Sequence, residues 1–475
     1  LRPGPQLLTY PDSLGGDLAN LRRLLDGPFR GLFGGVHVLP PFPSSGDRGF
    51  APITYREIEP RFGTWADIRA LAADHDVLLD LMVNHISRRS DEFRDFEQHG
   101  RASRFADLFI TLDKVWRSGE PPPGDVARIF LRKPDDPFST ITIGDTGERL
   151  RIWTTFGRPD GSSEQVDLDL RSSATRALIA DWFAFFAAQG VSIVRLDAVG
   201  YVVKEAGTSC FMVEPGIWEA IDWLIEAAGR EGLTVLPEVH DVPATHEKLS
   251  ARGYWTYDFV LPGLTLLAFE TGEAGRLAEH LARSPERQFT TLDTHDGIPV
   301  KPDLEGVVSP AEMLALAEVV LARGGNVNRI LAEEHADGVD VHQLNATYFS
   351  AMGEDEERYL AARAIQLFAK GVPQVYHVGL LAGANDHAAV AATGEGRAVN
   401  RHDFTEAEIA AALERPVVRR LLELVRLRAE DPAFSGPLAV TTPAPHVLRM
   451  RRQGGGSAQT LEVDIRTGAW SIRPG

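Results

Sequence analysis

Eight short apolar runs, each followed by an amphipathic stretch, constrain this chain more than any other feature. The runs are QLLTY, GVHVLP, VLLDLMV, VSIVRL, LTVLPEV, WTYDFVL, FTTLD and VPQVYHV. Between them lie helical patterns such as LANLRRLLDG, WADIRALAADH, TRALIADWFAFFAAQG and PGIWEAIDWLIEAAGREG, several closed by a glycine where a C-cap falls. Eight strands alternating with helices predict an α/β protein built on a (β/α)8 TIM barrel.

Two insertions interrupt the alternation and a different pattern ends it. The barrel reads over 1–85, 171–297 and 354–430. The first insertion, 86–170, is rich in proline, glycine and charge and ends in EQVDLDL, which reads as short strands; the second spans 298–353. After Glu430, LAVTT, HVLRMRR, TLEVDI and AWSIR alternate as antiparallel strands, predicting a small separate β domain over 431–475. At 475 residues with 44% hydrophobic and 24% charged content, the chain can bury a large core. No apolar run reaches 18 residues, which excludes a spanning helix. A net charge of -18 argues against nucleic acid or an anionic membrane as partner, and an anionic substrate would need a local basic cluster. LRPGPQLLTY, which does not begin with Met, shows no secretory pattern, and a single cysteine, Cys210, agrees with a reducing cytoplasm.

The chemistry sits at the strand ends. Strand four closes on Arg195 and Asp197, strand five on Glu238 in LPEVHD, and strand seven on His295 and Asp296 in TLDTHDG. In a (β/α)8 barrel these ends share the face where active sites lie. Any one of these charges alone reads as structural, since an arginine beside a carboxylate cancels it. Together they do not, because clustered carboxylates repel and raise one another's pKa. Retaining glycosyl transfer uses such a set, with a nucleophile and an acid/base about 5 to 5.5 Å apart. Asp197 suits the nucleophile, held ionised by Arg195. Glu238 suits the acid/base, with the apolar residues of TVLPEV favouring its protonated form. Asp296 would grip sugar hydroxyls and stabilise the transition state. A competing assignment gives these carboxylates to magnesium or manganese in a barrel lyase or isomerase. No two of them share a strand end in a typical metal spacing, so no metal and no organic cofactor is expected.

VRLDAVGY, LPEVH, LDTHDG and DLMVNHIS resemble the signature regions of the α-amylase superfamily. LLTYPDSLGG, GVHVLPPFPSSGDRGFAPITY, AGTSCF, YHVGLLAG and GRAVNRH are similar to the sucrose phosphorylase group within it and cover nearly the whole chain. The resemblance implies transfer of a glucosyl unit from sucrose or a related glucoside to inorganic phosphate with net retention. It implies the same roles for Asp197, Glu238 and Asp296. It places Asp47 and Arg401 on the distal glucose hydroxyls, His85, Arg195 and His295 as further polar contacts, Phe156 as an aromatic platform, and Tyr201 and Phe211 as an aromatic wall.

The acceptor side departs from the group's plain sucrose enzymes, which carry proline where Arg132 stands and tyrosine where His342 stands. Arg132, Lys133, His342 and Gln343 resemble the set of members that take sucrose 6F-phosphate, and arginine and lysine suit a phosphate while His342 adds a donor. A solvated loop paired with Asp135 and Asp136 is the plainer alternative for Arg132 and Lys133. The expected partners are small molecules: sucrose 6F-phosphate or sucrose, and inorganic phosphate. Neither nucleic acid nor membrane is expected, and the assembly is a monomer or homodimer. Phosphorolysis of plain sucrose or an acidic glucoside such as glucosylglycerate, hydrolysis, and a catalytically silent binding module remain as alternatives.

Overall fold

The computed structural model describes residues 1–157, 162–330 and 338–475. Its centre is an eight-stranded parallel sheet: β1 (Gln6–Thr9), β2 (Gly35–Val38), β3 (Asp76–Met82), β4 (Val191–Asp197), β5 (Thr234–Pro237), β6 (Thr256–Asp258), β7 (Gln288–Thr290) and β8 (Val372–Tyr376). The hydrogen-bonded order is β6-β7-β8-β1-β2-β3-β4-β5. Leu236 of β5 and Tyr257 of β6, on the two edge strands, pack into one cluster with Leu78, Ile193 and Phe289, so the sheet curls into a near-closed barrel. The helices between the strands include α1 (Leu18–Asp26), α2 (Trp65–Ala72), α3 (Ser173–Ala188), α4 (Gly216–Arg230), α5 (Pro243–Ala251), α6 (Val260–Thr271), α7 (Glu356–Phe368) and α8 (Pro416–Glu430). Asp17 caps α1 and Ser172 caps α3 through their side chains, and α2 opens on a Thr64/Asp67 capping box.

Strand alternation decides what enters the barrel. On β4, Val194 and Leu196 pack outward against the helices, while Ile193 faces the interior cluster and Arg195 and Asp197 follow it at two-residue steps. On β3, Leu79 and Leu81 face outward and Leu78 inward, which sends Asp80 inward as well; register pairs Asp80 with Arg195. The apolar floor is thus followed by a charged layer.

The WTYDFVL run is shorter as a strand than the sequence suggests. Only Thr256–Asp258 is extended, because the Asp258 carboxylate accepts from Leu261 N at 3.0 Å and starts α6 at once. In the first insertion, strand His85–Ser87 pairs antiparallel with Gln165–Asp167, and Phe138–Thr142 pairs with Arg149–Trp153 over a small core that includes Trp116, Ile129 and Cys210. The second insertion holds helix Pro310–Ala322 and a sheet of Ile298–Pro299, Val341–Asn345 and Asn326–Arg329.

The tail forms a four-stranded antiparallel sheet, but it is not separate in its packing. Leu448, Met450, Leu461 and Val463 belong to the same continuous core as the barrel helices. Arg452, 1% exposed, donates to the carbonyls of Phe368 and Ala369 at the end of α7 and to Gly436 O. It thereby serves acceptors that a helix C-terminus leaves open. Replacing it leaves those carbonyls buried without donors, so Arg452→Ala is expected to cost about 2–4 kcal/mol. Chemical denaturation checks this; an unchanged midpoint would show that the tail adds nothing to the barrel's stability.

Candidate active site

A hydrogen-bonded chain crosses the barrel above its apolar floor. Gln374 Nε2 lies 3.3 Å from His37 Nδ1, and His37 Nε2 lies 2.8 Å from Asp80 Oδ2. Arg195 then donates from Nη1 to Asp80 Oδ1 at 2.5 Å and to Asp197 Oδ1 at 3.1 Å, and from Nη2 to Glu238 Oε1 at 2.5 Å. Burial alone would raise the Asp80 pKa, yet His37 and Arg195 hold it below the ordinary carboxylate range.

One guanidinium therefore bridges the two carboxylates at the ends of β4 and β5. Ala198, which follows Asp197, adopts a left-handed conformation with φ 53° and points its N–H at Glu238 Oε2, 3.2 Å away. That turn ties the end of β4 to Glu238 and leads into a short 3-10 segment carrying Tyr201. Asp197 is pushed well above its ordinary pKa, by burial and then by the charge of Glu238, with Arg195 opposing. Glu238 moves the other way. Burial would raise it, but Arg195 and His240 bring it to about 2. These directions run opposite to the expected preference for a protonated Glu238 and an ionised Asp197. The apolar neighbours Val235 and Val239 in TVLPEV pack into the outer core, so the carboxylate meets cations instead. The two carboxyls sit on the same guanidinium and titrate as a coupled pair, with Asp197 pushed up and Glu238 held down.

Asp296 closes the pocket from the β7 side. Its Oδ1 lies 3.1 Å from Arg397 Nη1 and 3.5 Å from Arg401 Nη2, and its Oδ2 lies 3.3 Å from His295 Nε2. Burial is outweighed by His295, Arg397 and Arg401, and the carboxyl is held far below the usual range. His295 stacks on Phe50 at 5.1 Å, and burial lowers its pKa to about 3. Arg401 donates from Nε to His295 O at 2.7 Å, leaving Nη2 buried without a hydrogen-bond partner. Asp47 stands exposed on a turn with φ 48°, and among the described residues no hydrogen bond or ion pair joins it to Arg401. His85 is 1% exposed, and its Nε2 donates to Phe50 O at 2.9 Å, so its outer nitrogen is committed to backbone rather than open to a ligand.

The aromatic residues meet as a continuous wall. Phe156 contacts His85 at 5.3 Å and Tyr201 edge-on at 5.2 Å, and Tyr201 contacts Phe211 at 4.8 Å. Beneath them the buried Lys204 ammonium touches Asp167 Oδ2 and Thr155 Oγ1 at 2.8 Å, Tyr201 O at 2.6 Å and Asn84 Oδ1 at 3.2 Å. This cluster pins the first insertion to the ends of β3 and β4.

At the acceptor rim, Arg132 Nη1 meets His342 Nε2 at 3.0 Å. His342 Nδ1 lies 2.8 Å from Lys301 O, which fixes the Nδ1–H tautomer and makes Nε2 an acceptor. Burial, then Arg132 and His240, push its pKa well below the ordinary value. His342 thus orients Arg132 instead of donating to a ligand, contrary to the expectation. Lys133 does not face the mouth. It is 2% exposed and donates to Phe138 O at 2.8 Å and Thr154 Oγ1 at 2.9 Å inside the insertion. Gln343, next to His342 where the strand's register with Asn326–Arg329 shifts, has its Oε1 buried without a hydrogen-bond partner.

Five residues that sequence reasoning passed over belong to this centre: His37, Asp80, His240, Asp303 and Arg397. Asp80 lies in the quoted DLMVNHIS and was findable from inward parity. His240 Nε2 lies 3.6 Å from Glu238 Oε1, and its Nδ1 lies 3.1 Å from Asp303 Oδ2, a buried carboxylate of the second insertion. No sequence signal links two positions so far apart. No cluster able to hold a metal ion occurs among the described residues.

A floor of apolar side chains, a bridging arginine and strand-end carboxylates match a known catalytic domain. Residues 33–242 fit the family model described as alpha amylase, catalytic domain. A sucrose 6(F)-phosphate phosphorylase of Thermoanaerobacterium thermosaccharolyticum is 50% identical over 97% of this chain and 95% of its own length. The chain belongs to the sucrose phosphorylase group of the α-amylase superfamily. A sucrose phosphorylase of Streptococcus mutans is 40% identical over 97% of this chain and 94% of its own. The crystal structure of sucrose 6F-phosphate phosphorylase from Thermoanaerobacter thermosaccharolyticum superposes with a TM-score of 0.97 at 49% identity, covering 100% of this chain and 96% of that one.

Within this group member the His240 environment sets a pH dependence. Burial would lower its pKa, but Asp303 and Glu238 raise it to about 10. Because this exceeds the ordinary value of 6.5, the stabilisation from its partners is complete below about 6.5 and is lost as pH rises through about 10. Asp303→Asn removes the first of those partners. The alkaline limb of kcat/KM should then move down by at least about one unit. A pH–rate profile identical to the parent's would show that His240 does not govern Glu238.

Proposed function

We propose that this protein is a sucrose 6F-phosphate phosphorylase, converting its donor and inorganic phosphate reversibly into α-D-glucose 1-phosphate and D-fructose 6-phosphate. Arg132 carries the reading: a guanidinium held by His342 at 3.0 Å and lying 5.8 Å over the Phe156 ring, at the rim where the leaving sugar sits. The relative of 50% identity, a sucrose 6(F)-phosphate phosphorylase, supports it. A reducing cytoplasmic location fits the lone, buried Cys210.

In this mechanism the glucosyl ring occupies the pocket between the aromatic wall and Asp296, with Arg401 and Asp47 toward its distal hydroxyls. The first step uses Glu238 protonated and Asp197 ionised. The Asp197 carboxylate then bonds to the anomeric carbon while the bond to the fructosyl oxygen breaks, and Glu238 delivers its proton to that oxygen. Asp296 stabilises the positive charge that develops on the ring. A phosphate oxygen next displaces Asp197 from the same carbon, restoring the α configuration, and the proton that phosphate loses returns to the Glu238 carboxylate. Arg195, held at 3.1 Å from Asp197 by Asp80 on its far side, keeps the nucleophile oriented through both steps.

A donor panel in phosphate buffer, scored by glucose 1-phosphate release, tests the activity. Loss of one charge-assisted contact is worth roughly 1.5–3 kcal/mol. Arg132→Ala should therefore reduce kcat/KM for sucrose 6F-phosphate about tenfold to a hundredfold and leave the value for plain sucrose within about threefold. An equal loss on both donors would remove the 6-phosphate from the reading.

A further inference from the structure

We infer that Arg397 anchors the attacking inorganic phosphate, at a position distinct from the Arg132 rim that takes the donor's own phosphate; this rests on the phosphorylase reading above. Arg397 lies on the 3-10 segment Gly396–Asn400 that follows β8. The second insertion holds that segment in place, through Asn326 Nδ2 donating to Gly396 O at 3.1 Å.

The cations around the pocket differ in how they are tied. Arg195 is 4% exposed at its side chain and shared among three carboxylates. Arg401 is 6% exposed and fixed to His295 O. Arg48 is held by Asp12, Ser13 and Asp403, and Arg132 by His342. Arg397 is 28% exposed, and among the described residues its ion pair is with Asp296 Oδ1, at 3.1 Å. That contact is the one a bound sugar must compete for. Once glucosyl hydroxyls engage Asp296, the Arg397 guanidinium loses its partner beside the anomeric carbon while remaining open to solvent.

Its position also falls on the acceptor side. The segment carrying Arg397 packs against the Val341–Asn345 strand that holds His342, and the His240 ring lies edge-on to His342 at 5.9 Å while reaching Glu238. The entering nucleophile of a retaining enzyme must come from this side, opposite Asp197. Arg397 stands inward, against Asp296, and Arg132 outward, against the aromatic wall. Phosphate held by Arg397 directs one oxygen to the anomeric carbon; the new C–O bond forms as the Asp197 ester bond breaks and its electron pair returns to the carboxylate.

The test uses α-glucosyl fluoride as donor in rising phosphate. The ratio of glucose 1-phosphate to glucose then reports capture of the glucosyl-enzyme, whatever the rate at which it forms. Arg397→Gln should raise the phosphate concentration giving equal amounts of both products about tenfold to a hundredfold, with Arg397→Lys shifted the same way by less. If the glutamine variant does not fold, the lysine variant alone must still shift the curve. A partition curve matching the parent's in either folded variant overturns the assignment while leaving the phosphorylase reading intact. A parent protein that yields only glucose at every phosphate concentration overturns both.

Discussion

A buried guanidinium surrounded by more carboxylates than it can neutralise governs this protein. Arg195 is 3% exposed and serves Asp80, Asp197 and Glu238 at once. Charge of this kind survives in an interior only when it is paired and hydrogen-bonded, and the His37–Asp80 contact supplies the support beneath it. The surrounding negative charge and burial push the Asp197 pKa up, while Arg195 and His240 hold Glu238 down.

The barrel sets this centre, but the insertions complete it. The second supplies Asp303, which keeps His240 charged beside Glu238, and His342, which fixes Arg132. The first supplies Arg132, Phe156 and, through Asp167 against Lys204, the rigid base of the aromatic wall. Donor specificity therefore lives on segments outside the eightfold repeat, while bond-making chemistry lives on the strand ends.

The fold was legible because apolar runs and amphipathic helices have different periods, and because parity along VSIVRLD and VLLDLM fixes which charges turn inward. Where the sequence reading went astray, neighbouring residues were asked to do one job. Arg132 and Lys133 are adjacent, as are His342 and Gln343, yet the chain bends at Lys133 and turns its ammonium into the insertion, and the strand register shifts beside His342. The valines flanking Glu238 face the helices, and its charged neighbours, Arg195 and His240, come from another strand and from two residues onward. The His342 tautomer depends on Lys301 O, a backbone contact across 41 positions that composition cannot reveal.

The account stands on Asp197 forming a covalent bond to the sugar while Glu238 handles the proton. Incubating Glu238→Gln with α-glucosyl fluoride should trap the glucosyl-enzyme, since fluoride needs no protonation to leave and the variant lacks the group that promotes turnover. Mass spectrometry of the digested protein is predicted to find one hexosyl unit on the peptide containing Asp197. A hexosyl unit on any other residue, or release of β-configured product without a covalent adduct, would contradict it.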